Sequence, residues 1–458
     1  MTAGERGRVR PEAVGRVIAL AIVAAAGVVG TVCLTAYVGD GAHFLHRMLV
    51  EGGFAFGNAD RTFSAGVTEL PAIVAIAVGG VDAGAVALIY SAGLMLIPTA
   101  AWCAAILLHW RTPLLWLFFT MWAVVFPVSA FFAVGEYNLT YALVALAAAL
   151  VLRTGPWTLA ESIGLAAVSV VLLRSYESTI FLGPVLIVGV VLRMRDRDDV
   201  EAGRGRKRAT TWIVGAAAVL LAGGAVLGLV TALWTLSPVG GGTFDQAANL
   251  SLLARDPRVV VAGVAVLAMI LALAVSSRRL AIAAIGVGIL AAIALLAVPI
   301  FPSAVPRVID ADWPYPWMHY NARIAVAVLL AVLIGLATAL RFTRLGVRAH
   351  DRVRAAWVVP VVVIVAMGID FGRTCVEFRD WTHDFAQTVR SRAGLIPFEA
   401  SGVHPRFTWT WTNPTLSLVL WTREGQGVIL NSADYDGWEP FDPHEPLPTV
   451  PARFLAQP

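Results

Sequence analysis

The sequence predicts an all-α polytopic membrane protein of about eleven transmembrane helices, with a cytoplasmic N-terminus and a small extracytoplasmic C-terminal domain of α+β or β character. Three observations lead there. Of the 458 residues, 58% are hydrophobic and 14% charged, where ordinary soluble domains carry about a quarter charged residues. Apolar runs near 20 residues or longer recur from one end to the other, the length a helix needs to cross a hydrocarbon core of about 30 Å. The runs are also continuously apolar, as in AVAVLAMILALAV and AAIALLAVPI, whereas the strands of a transmembrane barrel would alternate.

The first run, 14–38, follows Arg6, Arg8, Arg10 and Arg16, the charge layout of a cytoplasmic start. It is too long for a signal-peptide core and TAYVGDG is a poor cleavage site, so it reads as an uncleaved first span. Further spans are expected near 84–109, 113–134, 138–152, 157–173, 178–193, 211–236, 258–276, 280–300, 324–342 and 356–371. Of these, 138–152 and 178–193 are short and must borrow flanking residues or sit inside the bundle. With eleven spans, Arg111, Arg153, RMRDRDDVEAGRGRKR, Arg278 with Arg279, and RFTRLGVRAHDRVR all fall on the cytoplasmic side. A crossing by the apolar stretch 66–81 would flip that parity, so it is expected as an interfacial or re-entrant helix within a long outer loop, 39–83.

After residue 371 the composition turns charged and rich in Trp and Pro. The division expected is a membrane domain over 1–371 and an extracytoplasmic domain over 372–458, with FTWTWT and LSLVLW as strands and NSADYDGWEPFDPHEPLP as a turn-rich close. The net charge of +4 sits in short connections and orients the chain in a lipid bilayer, so no nucleic-acid partner is implied. Cys33 and Cys103 lie inside apolar runs and Cys375 stands alone, which offers neither a disulfide framework nor a CxxC metal site. Walker A, GxGxxG and HExxH patterns are missing as well, which disfavours nucleotide and zinc chemistry.

Candidate site residues cluster at the outer ends of the spans. In GDGAHFLHRMLVEGGFAFGNADR, Asp40 directly follows the first span, and a carboxylate there can take a proton from an acceptor hydroxyl; the simpler role for an acid in GDG is to terminate a helix. His43 and Arg47 follow at helical spacing on roughly the same face, and Arg61 closes the stretch. Glu136 lies in GEYN at the head of another span. Arg174 and Glu177, between two closely spaced runs, either pair with each other across i, i+3 or serve a site, the arginine holding a lipid phosphate. The connection DADWPYPWMHYNAR gathers Asp310, Asp312, Trp317, His319 and Arg323; an aromatic belt explains most of its Trp and Tyr residues but not the acids, His319 and Arg323, and flat aromatic faces beside carboxylates suit sugar rings while Arg323 is a candidate, with Arg47 and Arg174, for holding phosphate. The sequons at Asn138 and Asn249 are triplets that arise often by chance.

With its cytoplasmic start, long outer loop with an early acid, many spans and outward C-terminal domain, the chain resembles the GT-C class of polytopic glycosyltransferases. More locally, GDGAHFLHRMLVEGGFAFGNADR is similar to the Asp-Asp-Ala-Phe, Arg, Gly, Asn-Pro-Gly-Glu-Arg pattern after the first span of bacterial arabinofuranosyltransferase-like members. Asp40, Phe44, Arg47 and Arg61 take the places of its acid, aromatic and arginines, with one acid here where the class commonly carries two. The resemblance implies an enzyme of the bacterial plasma membrane that moves a sugar from a polyprenyl-phosphate donor to an extracytoplasmic glycan, lipid or protein. It gives Asp40 the role of base and leaves a divalent metal open. Two other classes fit the same composition: a transporter or flippase lined by Glu136, Arg174 and Glu177, and a non-catalytic envelope scaffold.

Overall fold

No water reaches the depth of these apolar runs to satisfy backbone N–H and C=O groups, and a helix pairs nearly all of its own. The computed structural model describes residues 11–56, 61–129, 136–195, 204–235, parts of 260–293, 315–343, 357–404, 407–408, 412–430 and 448–455, and it is almost wholly helical. In chain order the helices are α1 (Pro11–Val32), α2 (Asp40–Glu51), α3 (Thr62–Val78), α4 (Ala83–Leu108), α5 (Leu115–Ser129), α6 (Glu136–Val151), α7 (Leu159–Leu173), α8 (Thr179–Arg195), α9 (Arg204–Thr235), α10 (Tyr315–Phe342), α11 (Val358–Ser391), α12 (Phe398–Ser401) and α13 (Asn413–Val419). Among the described residues five helices are long and apolar enough to cross a membrane: α1, α4, 208–234 of α9, 325–342 of α10, and α11. Shorter apolar helices pack between them. The spans expected at 258–276 and 280–300 fall largely outside the described residues.

Side-chain contacts sort the helix ends into two sets. Arg16 at the start of α1 donates to the Trp110 carbonyl just past α4 at 2.8 Å, and His109 there donates to the Ala149 carbonyl near the end of α6 at 2.9 Å. Arg193 near the end of α8 reaches the carbonyls of Leu150 and Gly155. These contacts define one end of the bundle, rich in arginine. At the far end the backbone N–H of Ala36 donates to Ser91 at 3.0 Å, that of Phe63 donates to the Arg174 carbonyl at 3.1 Å, and the rings of Tyr137 and Tyr176 stand 5.4 Å apart. The stretch expected at 66–81 as interfacial is α3, which packs on α4, α6 and α7. It begins beside Arg174 and runs back along α4, with Thr68 against Gly93, towards Asp82, the N-cap of α4.

Of the two short spans, 138–152 lies inside the bundle as α6, beside α5, while 178–193 is α8, which leaves Phe181 and Val188 exposed. α5 and α6 are apolar all round, and their side chains from Leu115 to Phe126 and from Tyr137 to Leu152 are nearly all buried, with α4, α7, α8, α10 and α11 among the helices packed around them. α9 shows the opposite pattern. Trp212 and Trp234 are 71% and 62% exposed near its two ends, with exposed Val219, Val226 and Leu229 between them. Twenty-two residues at 1.5 Å each separate the two indoles by about 33 Å, the spacing of two interfacial aromatic belts around one hydrocarbon layer.

The C-terminal part departs from expectation. The division expected at 371/372 falls inside α11, which continues unbroken to Ser391. At about 51 Å this helix exceeds the membrane core. LSLVLW is not a strand: α13 occupies Asn413–Val419, started by Pro414 in its first turn, where a missing N–H costs nothing. The only strands among the described residues are Leu395–Ile396 and Val428–Ile429, paired in parallel. The segment folds back on the upper part of α11: Trp381 donates to the His404 carbonyl at 2.7 Å, and Gly427 N–H to the Val389 carbonyl at 2.9 Å. α13 packs on α2, and His46 of α2 donates from Nε2 to the Pro448 carbonyl at 2.8 Å. The segment thus covers α2 at the far end of the bundle.

Candidate functional site

α1 ends where Leu34 enters the left-handed region (φ 57°), followed by the short 3₁₀ turn Thr35–Tyr37 and Gly39 at φ 49°. These two positive-φ residues reverse the chain so that Asp40 becomes the first residue of α2. A carboxylate in a first turn is favoured by the positive end of the helix dipole, so Asp40 opens α2 rather than ending α1. Asp40, His43 and Arg47 share a partly buried face one turn apart. Burial, and then the neighbouring Arg47 charge, hold the His43 ring down to about 4, so it is neutral at neutral pH. Arg47 donates to Glu51 at 2.9 Å and is committed to that pair at the surface.

The second group lies on different elements. Arg61, just before α3, donates to Glu177 at 2.7 Å, with its guanidinium 5.0 Å from the centre of the Tyr176 ring. Ser64 also ties α3 to this hairpin by donating to the Ser175 carbonyl at 3.0 Å. Glu177 therefore forms its ion pair with a residue 116 positions away; among the described residues Arg174 and Glu177 make no ion pair across i, i+3. Arg174 itself is exposed. The Glu177 backbone packs against Gly228, six residues before Trp234. At 1.5 Å per residue the ion pair lies about 9 Å inside the aromatic belt, a depth at which ionisable groups are costly and usually functional.

Glu136 heads α6 next to Tyr137, hence at the same end as Arg61 and Glu177. Trp317, His319 and Arg323 lie on the first turns of α10. α10 meets the arginine-rich end near Thr338, beside Gly189, so its start is directed to the far end. Asp310 and Asp312 lie outside the described residues. Far-end placement is thus shared by Asp40, His43, Arg47, Arg61, Glu136, Arg174 and Glu177; Arg61 is in direct contact with Glu177, and His43 lies beside Arg47. The groove between α1 and α11, lined by Ile22, Val29, Gly368 and Phe371, is apolar and contains none of these residues. Among the described residues no group of three or more His, Cys, Asp and Glu is placed to hold a metal ion.

Several buried polar residues were not singled out by sequence. Glu161 accepts from Arg153, from Arg193 at 2.9 Å and from the Thr158 N–H at 3.1 Å, completing a capping box at the start of α7. The Thr-Leu-Ala-Glu spacing advertises that box. Glu69, whose carboxylate accepts from the Ala55 N–H at 2.9 Å, and Asp370 in α11 are each 1% exposed. An acid inside an apolar run was the signal for both. Asn138 is buried and accepts from Ser129 at 2.6 Å, which removes its sequon from the surface.

No protein-family model, curated protein or solved structure matches this chain.

Proposed function

We propose that the protein is a glycosyltransferase of a bacterial plasma membrane that moves a sugar from a polyprenyl-phosphate donor to an extracytoplasmic glycan, lipid or protein. In this reading about eleven spans cross the bilayer, the arginine-rich end faces the cytoplasm, and the segment folded on α11 and α2 is an extracytoplasmic cap. The observation that carries the reading is the position of Asp40: the first residue of a helix outside the apolar layer, partly buried, beside a neutral His43 and at the same end as Arg174. A carboxylate so held takes the acceptor O–H proton while the acceptor oxygen attacks the sugar C1. The bond from C1 to the phosphate oxygen breaks, and its electron pair leaves with the polyprenyl phosphate. The exposed Arg174 suits the departing phosphate better than Arg47, whose guanidinium is shared with Glu51.

The test is the Asp40→Asn variant in membranes supplied with a panel of radiolabelled polyprenyl-phosphate pentoses and hexoses. Label transfer by the parent chain and its loss in the variant, at equal yield and thermal midpoint, are expected. Unchanged transfer by the variant removes Asp40 from the mechanism. The depth of the Arg61–Glu177 pair favours one rival, a pathway through the membrane. Glu177→Cys labelled by an impermeant maleimide from both faces of the membrane supports transport, and labelling from the extracytoplasmic face alone supports the enzyme.

A further inference from the structure

We propose that the arginine-rich end of the bundle binds the phosphate of an anionic phospholipid, on the outer sides of Arg153 and Arg341 where α6, α8 and α10 converge. Helix packing assembles the site. A methyl group at Gly189 of α8 would lie 2.8 Å from Val151 of α6 and 3.8 Å from Thr338 of α10, so the three helices meet closely at that level. One turn further on, Arg193 follows on α8 and Arg341 on α10, and Arg153 stands two residues past Val151. Arg193 is enclosed and committed to Glu161, two backbone carbonyls and the Trp157 ring. Arg153 places one nitrogen on the same carboxylate and has a side chain 41% exposed, so donors remain for an outside ligand. Arg341 is partly exposed.

Charge and height select the ligand. Arg153 and Arg193 share the one carboxylate of Glu161, which leaves a positive charge over. The charges of Arg153, Arg193 and Arg341 all act on the ring of His109, which burial first and then those charges keep neutral. Arg111 and Arg195 are exposed at this end and make no ion pair among the described residues. A methyl group at Gly183 of α8 would lie 3.0 Å from the Leu221 carbonyl oxygen of α9, and Gly228 meets Thr179, so these two helices run antiparallel. Arg193 comes after Gly183 and Trp212 before Leu221 by rises of about 15 and 14 Å, which sets the arginines level with the exposed Trp212. That is the height of an aromatic belt, where phospholipid headgroups lie. A phosphodiester with no compensating cation fits this surplus, and arginine donors suit its oxygens. The site depends neither on the reading of Asp40 nor on which face of the membrane this end occupies.

The experiment titrates phosphatidylglycerol, phosphatidylcholine or inorganic phosphate into the full chain in neutral detergent, with bound lipid read by native mass spectrometry and stability by thermal midpoint. Phosphatidylglycerol should be retained in preference to phosphatidylcholine and should raise the midpoint, and inorganic phosphate at equal concentration should not. Arg153→Gln and Arg341→Gln should each weaken phosphatidylglycerol binding about fivefold. Arg379→Gln, which removes an exposed arginine from the upper part of α11, should leave it unchanged. Equal retention of the two lipids, or an equal loss in Arg379→Gln, overturns the site. Unchanged affinity in Arg153→Gln does so even where Arg341→Gln fails to fold. A midpoint raised by inorganic phosphate and abolished by Arg153→Gln assigns the arginines to a free anion and rejects the lipid.

Discussion

Replacing Glu161 by alanine removes one carboxylate from the interior of the arginine-rich end, and the structure sets the size of the effect. Arg193 is 1% exposed; it donates to Glu161 at 2.9 Å and to two backbone carbonyls, and its guanidinium lies 3.8 Å from the centre of the Trp157 ring. Without Glu161 a buried cation loses its counter-charge, which costs about 3–5 kcal/mol. Arg153, the other partner, has a side chain 41% exposed, and Arg153→Ala should cost only about 0.2–1 kcal/mol. The double change Glu161→Leu with Arg193→Met removes the desolvation penalty along with the attraction, so it should cost less than Glu161→Ala alone. Thermal midpoints of the parent chain and the three variants in detergent, followed by size-exclusion chromatography after heating, give the ranking. Equal losses for Arg153→Ala and Glu161→Ala, or a double variant as damaged as the sum of its parts, would refute the account of a buried, mutually dependent pair.

Two further predictions concern packing and pH. A methyl group at Gly93 would lie 2.0 Å from the Thr68 carbonyl oxygen, so Gly93→Ala must push α3 off α4 at a cost of about 1–3 kcal/mol; Gly335→Ala in α10, where a methyl meets nothing within 4 Å, should be neutral or stabilising, and equal midpoints for the two variants would contradict the close approach. The His43 ring, held down to about 4 by burial and by Arg47, titrates near 6.5 when unfolded. Its stabilising contribution is therefore complete above pH 6.5 and is lost as pH falls towards 4, by up to about 3 kcal/mol. Burial moves His46 the same way, so His43→Gln should flatten the acid limb of the stability profile only in part, and a limb unchanged in the variant rules His43 out as its source.

Much of the helical framework was legible because spans are written in long apolar runs. α4, α6, α7 and α8 begin and end within a few residues of their expected limits. The C-terminal part was not, because its signals compete. LSLVLW has the composition of a strand, yet Pro414 starts a helix whose apolar face α2 and α11 bury. Hydropathy falls at 371, but backbone hydrogen bonding in α11 continues to Ser391 through polar residues as long as Phe378, Trp381 and Phe385 have the C-terminal segment to pack on. At the site, span ends located the charges. They left the partner of Glu177 undecided, since Arg174 is near in sequence and Arg61 is near in space.

From its sequence alone this chain is committed to a helical membrane fold, because apolar segments of such length leave their backbone groups no other partners. Arg16, Arg153 and Arg193 meet at one end of the bundle because the connections between those segments carry them, while Arg47, Arg61 and Arg174 lie at the other. Which ion pairs form, and that α2 lies beneath the C-terminal segment, were decided by tertiary packing. Such contacts join residues tens to hundreds of positions apart, and their partners follow from helix register and close approach, which hydropathy does not record.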